Sequence, residues 1–411
     1  MAQRFQAPRG TFDVLSSEAA TRERVAAQAR ELLGRAGYQP IETPTFEDTE
    51  LFARGVGGST DIVRKEMFTF EDQGGRSITL RPESTASIAR AYLEHGMQKL
   101  PQPVKLWWYG SVFRHERPQA GRFRQFTQLD AEAIGSDSPL VDAELITLLD
   151  ELLRGLEVPA LTLRLGSLGS PEARAEYREE LIAHLRRHEE ELDKDVRERI
   201  EENPLRAFDS KHEGTRAVMA QAPTMLERLD AEDAEHFATV QRLLEHAGIE
   251  YELDGTLVRG LDYYTRTVFE FHCGQLGAQS QVAGGGRYDG LVELLGGPAT
   301  PACGWAVGIE RVLLALEDED STPPPDVFLV AADEQRERAL ALAAELRHAG
   351  LRAELDLGGR GLKGQMRHAD RLGAPNALIL DESGSIQLRD MSSGEQREIE
   401  VAELVEELVA R

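Results

Sequence analysis

The sequence predicts an α+β protein: a sheet with flanking helices, interrupted by a helical insertion and followed by a small α/β domain. Three observations predict it. Strand-like runs alternate with amphipathic helical segments through residues 1 to about 168, and strands return from 251 to 318. Between them lies ARAEYREELIAHLRRHEEELDKDVRERIEEN, highly charged, with apolar residues at helical spacing. After an acidic, proline-rich segment, EDEDSTPPPD at 317–326, a buried-strand pattern, a helix and a second strand follow in turn.

The elements follow in chain order. Glu18–Gly34 reads as an amphipathic helix closed by glycine. Strand-like runs follow at Arg76–Leu80, Val104–Arg114 and Phe123–Ile134, separated by helical stretches, so residues 1–169 form a sheet carrying helices. Residues 170–249 form the insertion, its helical spacing reaching His246 with interruptions at Asn203-Pro204 and Ala222-Pro223. Strand character resumes at Tyr251–Val258, and residues 250–320 hold strands, glycine loops and a helix over Ile309–Leu316. Residues 321–326 are the linker, and 327–411 the last domain, with DVFLVAAD and LRAELDL as strands around a helix at Gln335–His348.

Composition excludes several classes. The 411 residues suffice for two or three domains and a sizeable core without disulfides. Apolar runs fall short of the ~18 residues a spanning helix needs, and MAQRFQAPRG has no apolar signal core, so no membrane association is expected. Two cysteines, Cys273 and Cys303, without a CxxC pair, exclude a disulfide framework and point to a reducing cytoplasm. A net charge of -25 argues against a bulk basic nucleic-acid binder, although a local positive patch would suffice for RNA. The basic residues are mostly arginine; the acidity fits either a salt-adapted surface or ordinary compositional bias.

Standard phosphate and metal motifs are absent: no GxxxxGK[ST], no GxGxxG opening a helix, no HExxH and no GxSxG. His184 and His188 stand four apart on a helix, but among arginines and glutamates they read as a solvated charged face, and no protein-held metal is expected.

The richest segment is VKLWWYGSVFRHERPQAGRFRQFTQLDAEAIG at 104–135. Residues two apart in a strand share a face. Arg114 and Glu116 therefore point one way, as do Arg122, Arg124, Phe126, Gln128, Asp130 and Glu132, while Phe123, Leu129, Ala131 and Ala133 face a core. A face combining guanidinium groups, a lone aromatic plane, an amide and carboxylates suits phosphate binding and base stacking.

FRHE, a loop, then RFRQFTQLDAE closely resembles motif 2 of class II aminoacyl-tRNA synthetases, in the histidyl-tRNA synthetase version. LVRGLDYYTRTVFEF at 257–271 and AGGGRYDGL at 283–291 resemble that family's two histidine motifs. GWAVGIERVLLAL at 304–316 resembles motif 3, YQPIETPTFEDTELF at 38–52 motif 1, and TLRPESTASIAR at 79–90 also matches. The resemblance runs from PRGTFD at 8–13 into the last domain.

The resemblance implies a class II antiparallel sheet with an anticodon-binding domain, and a ligase that activates L-histidine with ATP and transfers it to tRNA(His). It implies Arg259 and Arg114 as the catalytic cations at the α-phosphate. Arg114, Glu116, Arg122, Phe126 and Arg311 would bind ATP, Arg311 at a helix N-terminus suited to phosphate, with Mg2+ bridging the phosphates. Glu83, Thr85 and Gln128 would hold the α-amino group of histidine, and Glu132 and Tyr264 its ring, with Tyr263, Arg114 and Arg259 close by. Arg117 and Gln119 would meet the tRNA acceptor end. Motif 1 implies a homodimer. Ser84 stands where the family often carries glycine.

In the last domain, LRAELDLGGRGLKGQMRHADR concentrates Arg352, Arg360, Lys363, Arg367 and Arg371 against three acids, a candidate phosphate-contacting patch. The nearest alternative is a non-catalytic relative, the regulatory subunit of ATP phosphoribosyltransferase. That relative typically lacks both an intact Arg259-type motif and the anticodon domain. A class II synthetase of other specificity is opposed by the two histidine motifs, and an amino-acid sensor by the full set of phosphate-binding arginines.

Overall fold

The computed structural model describes residues 5–58, 60–316 and 324–409. The chain divides into two compact units near residue 320. Among the described residues of the first unit, the strands are Gln39–Pro40 (β1), Phe46–Asp48 (β2), Phe68–Glu71 (β3), Ser77–Leu80 (β4), Val104–Phe113 (β5), Gln125–Ile134 (β6), Leu161–Ser167 (β7), Glu252–Leu253 (β8), Thr265–Cys273 (β9), Gln281–Arg287 (β10) and Ala302–Gly308 (β11). Eight form one sheet in the order β1-β5-β6-β11-β10-β9-β7-β8, and β2, β4 and β3 form a small second sheet. The short edge strands β1 and β8 pair in parallel, while the six strands between are antiparallel throughout. This is the antiparallel sheet that the sequence led us to expect.

One face of the sheet is sealed by helices Ser16–Arg35, Pro139–Gly155, Ala231–His246 and Ile309–Leu316. Their Leu33, Leu149, Val240 and Val312 pack with Leu129, Ala131, Phe269 and Trp305 in one apolar core. The other face is partly covered by helix Thr85–Glu94, whose Ile88 and Tyr92 lie in a cluster with Trp108 and Val268. Local sequence explains two helix starts. Ser138-Pro139 and Ser170-Pro171 each place a serine at the N-cap, bonding Leu140 N and Ala173 N, and a proline where no backbone donor is needed.

Three expectations change here. The strand expected over Tyr251–Val258 is reduced to Glu252–Leu253. The Asp254 carboxylate turns back to accept Thr256 N at 2.9 Å, which ends the strand, and Leu257 and Val258 leave it to line the pocket described below. The helical insertion builds its own small core from Tyr177, Leu181, Leu185, Ile200 and Val218. Its final helix, Ala231–His246, instead buries Phe237, Val240 and Leu244 in the main core. His184 is not on a solvated face: it lies beside Leu181 and Leu185 on the buried stripe, its Nε2 3.0 Å from the Val218 carbonyl. His188 sits at the edge, 3.1 Å from Glu191.

The second unit is a five-stranded sheet of Val327–Ala331 (β12), Ala353–Leu355 (β13), Asn376–Leu380 (β14), Ile386–Asp390 (β15) and Gln396–Glu398 (β16), ordered β13-β12-β14-β15-β16. Central β12 is parallel to both neighbours, which explains its uninterrupted apolar sequence. Helix Leu362–Arg371 is tied to it by buried Gln365, whose amide bonds Ala331 N at 2.8 Å and Ala331 O at 2.9 Å. The expected linker 321–326 lies half outside the described residues; within it, Asp326 pairs with Arg352 at 2.8 Å.

Candidate active site

A cavity of about 700 Å³ opens on the face of the main sheet not sealed by helices. Strand β6 forms its floor. Odd residues Leu129, Ala131 and Ala133 enter the apolar core, and even residues Phe126, Gln128, Asp130 and Glu132 line the cavity. The alternation ends where the strand ends, at Gln125. Arg122 reaches the cavity from the loop, but Arg124 does not share that face: its N–H bonds Gly10 O at 2.7 Å and its guanidinium bonds the Glu116 carbonyl.

The cavity has two chemically distinct ends. One is rich in arginine. Arg114 Nε donates to Pro82 O at 2.8 Å, and its guanidinium lies 5.4 Å from the Phe126 ring centre. Arg311, in the first turn of helix Ile309–Leu316, donates to Gln281 O at 2.8 Å and Gly121 O at 3.4 Å. Burial lowers its guanidinium below the usual value, and the charge of Arg122 lowers it further. Among the described residues neither Arg114 nor Arg311 has an ion-pair partner. Arg122 bonds Glu116 at 3.2 Å. Arg259 bonds Glu270 at 2.5 Å and stacks over Tyr264, 5.2 Å from its ring centre. Burial alone would weaken the Arg259 charge, but Tyr264 and Glu270 outweigh it. Glu270 also receives His272 Nε2 at 3.0 Å; burial raises this carboxyl, yet His272 and Arg259 together hold it below the usual range.

The other end is acidic and buried. Glu83 stands just before helix Thr85–Glu94 and accepts Thr85 N and Ala86 N, both at 2.9 Å. Glu132 accepts the Thr85 hydroxyl at 2.8 Å and the Tyr288 hydroxyl at 2.5 Å. Burial pushes Glu83 and Asp130 up, Asp130 to about 8, and Glu132 well up. Tyr263 contacts Tyr264 and Tyr288 at ring-centre distances of 4.8 and 5.6 Å, and burial raises all three phenols. All three stay neutral beside the acids, and Tyr288 donates to Glu132.

Comparison with known proteins decides the family. The histidyl-tRNA synthetase family model matches residues 10–312, and an anticodon-binding domain model matches 325–411. The chain belongs to the histidyl-tRNA synthetase family. It is 50% identical to the histidine--tRNA ligase of Rubrobacter xylanophilus over 96% of both chains. It is 49% identical to that of a Cyanothece species, over 98% of this chain and 95% of the relative. The apo histidyl-tRNA synthetase of S. aureus superimposes with a TM-score of 0.81 at 38% identity, covering 98% of this chain and 100% of the other.

Twelve of the fourteen residues that the family motifs single out line this one cavity: Glu83, Thr85, Arg114, Glu116, Arg122, Phe126, Gln128, Glu132, Arg259, Tyr263, Tyr264 and Arg311. Arg117 and Gln119 lie exposed in the loop between β5 and β6, where Gln119 pairs with Arg122. The motif reading did not assign Ser84, Asp130, Glu270 or Tyr288, all of which line the cavity. Strand alternation was a signal for Asp130, and AGGGRYDGL contains Tyr288. Arg206 and Phe208 of the insertion also line it; nothing in their local sequence points there.

Proposed function

We propose that the cavity seats ATP with its phosphates at the arginine-rich end and L-histidine at the acidic end, and joins them. The enzyme is a histidine--tRNA ligase. The histidine carboxylate attacks the α-phosphorus, the bond to the β-phosphate breaks, and pyrophosphate leaves with histidyl-adenylate bound. Histidine then passes to the 3′ end of tRNA(His). The observation that carries this reading is the pair Arg114 and Arg311, two cavity-lining cations anchored by backbone carbonyls and, among the described residues, without an ion-pair partner. Fixed cations facing a pocket and neutralised by no carboxylate are prepared for the charge of a triphosphate and its transition state. Arg259, oriented by Glu270, is the second cation at the α-phosphate. Phe126 stacks the adenine, Glu116 bonds it, and Arg122 and Arg311 take the γ-phosphate. Glu83, Thr85 and Gln128 hold the α-amino group, while Glu132 and Tyr264 read the ring.

Magnesium bound to the triphosphate would neutralise further charge. It would be held mainly by phosphate oxygens and water. Glu270, beside Arg259, is the carboxylate that would join its shell.

Arg117 and Gln119 contact the acceptor end of the tRNA, and the second unit contacts its anticodon. The enzyme acts as a homodimer in the cytoplasm, a reading supported by its motif 1 resemblance and its two free cysteines. The regulatory-subunit alternative has no observation in its favour.

The test is amino-acid-dependent ATP–pyrophosphate exchange by the purified protein, across all twenty amino acids at low and high salt. Exchange with histidine alone is expected, and Arg259→Ala and Arg114→Ala should each lower it by about 10²- to 10³-fold. No exchange at any salt would overturn the assignment.

A further inference from the structure

Three carboxyls are buried together at the acidic end, and they differ in what remains unpaired. Both oxygens of Glu83 accept backbone N–H groups, and both oxygens of Glu132 accept hydroxyls. Asp130 accepts the Ser84 hydroxyl on Oδ2, but its Oδ1 is buried with no hydrogen-bond partner. The residue lines the cavity, is 1% exposed, and lies on the floor strand between Gln128 and Glu132. A buried acceptor without a donor is costly, and so marks a place where a ligand donor belongs.

We infer that Asp130 is a further binding residue for the amino acid: its unpaired oxygen takes the α-ammonium of histidine, and Ser84 holds the carboxyl in position. The inference rests on the reading of the cavity given above. It gives the Ser84 side chain a task that a glycine there could not perform.

The groups facing Asp130 set its charge. Glu83 approaches from the turn before helix Thr85–Glu94, Glu132 from its own strand, Arg114 from the end of β5 and Arg81 from the turn after β4. Its register partners on the neighbouring strands, Trp108 and Ala306, carry no charge. Burial outweighs the two arginines and pushes the carboxyl up to about 8, so near neutral pH the empty site holds a proton there. An arriving ammonium favours the anion. The exchange balances: protonated Asp130 and the ammonium give a carboxylate–ammonium pair, and one proton leaves for solvent.

The experiment is calorimetric titration of the full-length protein with histidine at pH 7, in buffers of differing ionisation enthalpy. Close to one proton should leave Asp130 per histidine bound, beyond any that Glu132 gives up on meeting the ring. Imidazolelactate, with hydroxyl in place of ammonium and the same ring, should therefore release about one proton fewer. Asp130→Asn should lower the release by about one proton and raise the KM for histidine about 10- to 100-fold, leaving the KM for ATP unchanged. Ser84→Gly should keep the release and weaken histidine binding less. Unchanged affinity and unchanged proton release in Asp130→Asn would overturn the inference. So would equal release with imidazolelactate, a result that needs no variant to fold. Absence of histidine-dependent exchange in the unaltered protein would instead overturn the function assigned to the cavity.

Discussion

Gly304 sets the depth of the acidic end. It pairs in register with Glu132, and a Cβ built on it would stand 1.6 Å from Glu132 Oε2 and 2.7 Å from the Ala131 carbonyl oxygen. The backbone oxygen cannot yield, so Gly304→Ala must displace the Glu132 carboxyl from Thr85 and Tyr288. Its KM for histidine in the exchange assay should rise about tenfold or more, with the KM for ATP little changed. Asp130 yields a second expectation at this scale. A carboxyl whose folded value lies above its unfolded value lends stability that is full at low pH and is lost as pH rises toward the folded value. For Asp130 the loss runs from about 4, the ordinary aspartate value, up to about 8. Thermal unfolding of the unliganded protein should therefore show Asp130→Asn gaining on the unaltered protein across that window and no further above it.

At the scale of elements, one buried ion cluster joins three of them. Arg287, at the end of β10 and wholly buried, bonds Asp142 of helix Pro139–Gly155 at 2.5 Å and the carbonyls of Ser136 and Ser138. His236 of helix Ala231–His246 meets the same aspartate at 3.5 Å. Burial would raise the Asp142 carboxyl, but the bond from His236 and the charge of Arg287 hold it below the usual range. Removing the aspartate leaves the buried guanidinium with only the more distant Asp289, 3.2 Å away, as a carboxylate partner, so Asp142→Ala should cost stability toward the lower end of about 3–5 kcal/mol in denaturant unfolding. For a depressed carboxyl the sign of the pH effect reverses: the contribution is full above the ordinary aspartate range and is lost as pH falls below it. This cluster was not legible in the sequence, because its members are distant in the chain and each looks like an ordinary surface charge. Strand β6 was legible, since period-two alternation survives wherever one face meets an apolar core and the other a pocket. Tyr251–Val258 misled for a related reason: its apolar residues serve a pocket wall after an Asp254 turn, and a burial pattern alone does not separate that from a strand. Arg124 misled because alternation has no meaning beyond the strand's last paired residue. The site was legible mainly through its family motifs, which lie in five separate stretches of sequence that the antiparallel sheet brings to one face.

At the scale of the whole molecule, a chain of net charge -25 must bind an anionic partner through local cations. The second unit shows how few are available. Of the five basic residues expected to form its patch, Arg352 is paired with Asp326 and Arg360 with Asp356. Lys363, Arg367 and Arg371 remain exposed, spaced four apart on helix Leu362–Arg371, so they form one stripe along its face. A cation already paired within the protein displaces fewer counterions from RNA than an unpaired one, so the stripe should dominate the salt dependence of tRNA binding. Each cation–phosphate contact to a single strand contributes roughly 0.7 to the slope of log affinity against log salt. Replacing all three stripe residues by glutamine should thus reduce that slope by about 2 and weaken binding at low salt. Replacing Arg352 and Arg360 should change it far less. Binding of tRNA(His) measured from low to high salt for the two variants distinguishes these outcomes. Histidine-dependent pyrophosphate exchange, which requires no tRNA, reports in the same preparations that the first unit is intact. Equal slopes for the two variants would mean that the anticodon is met by another face of the second unit.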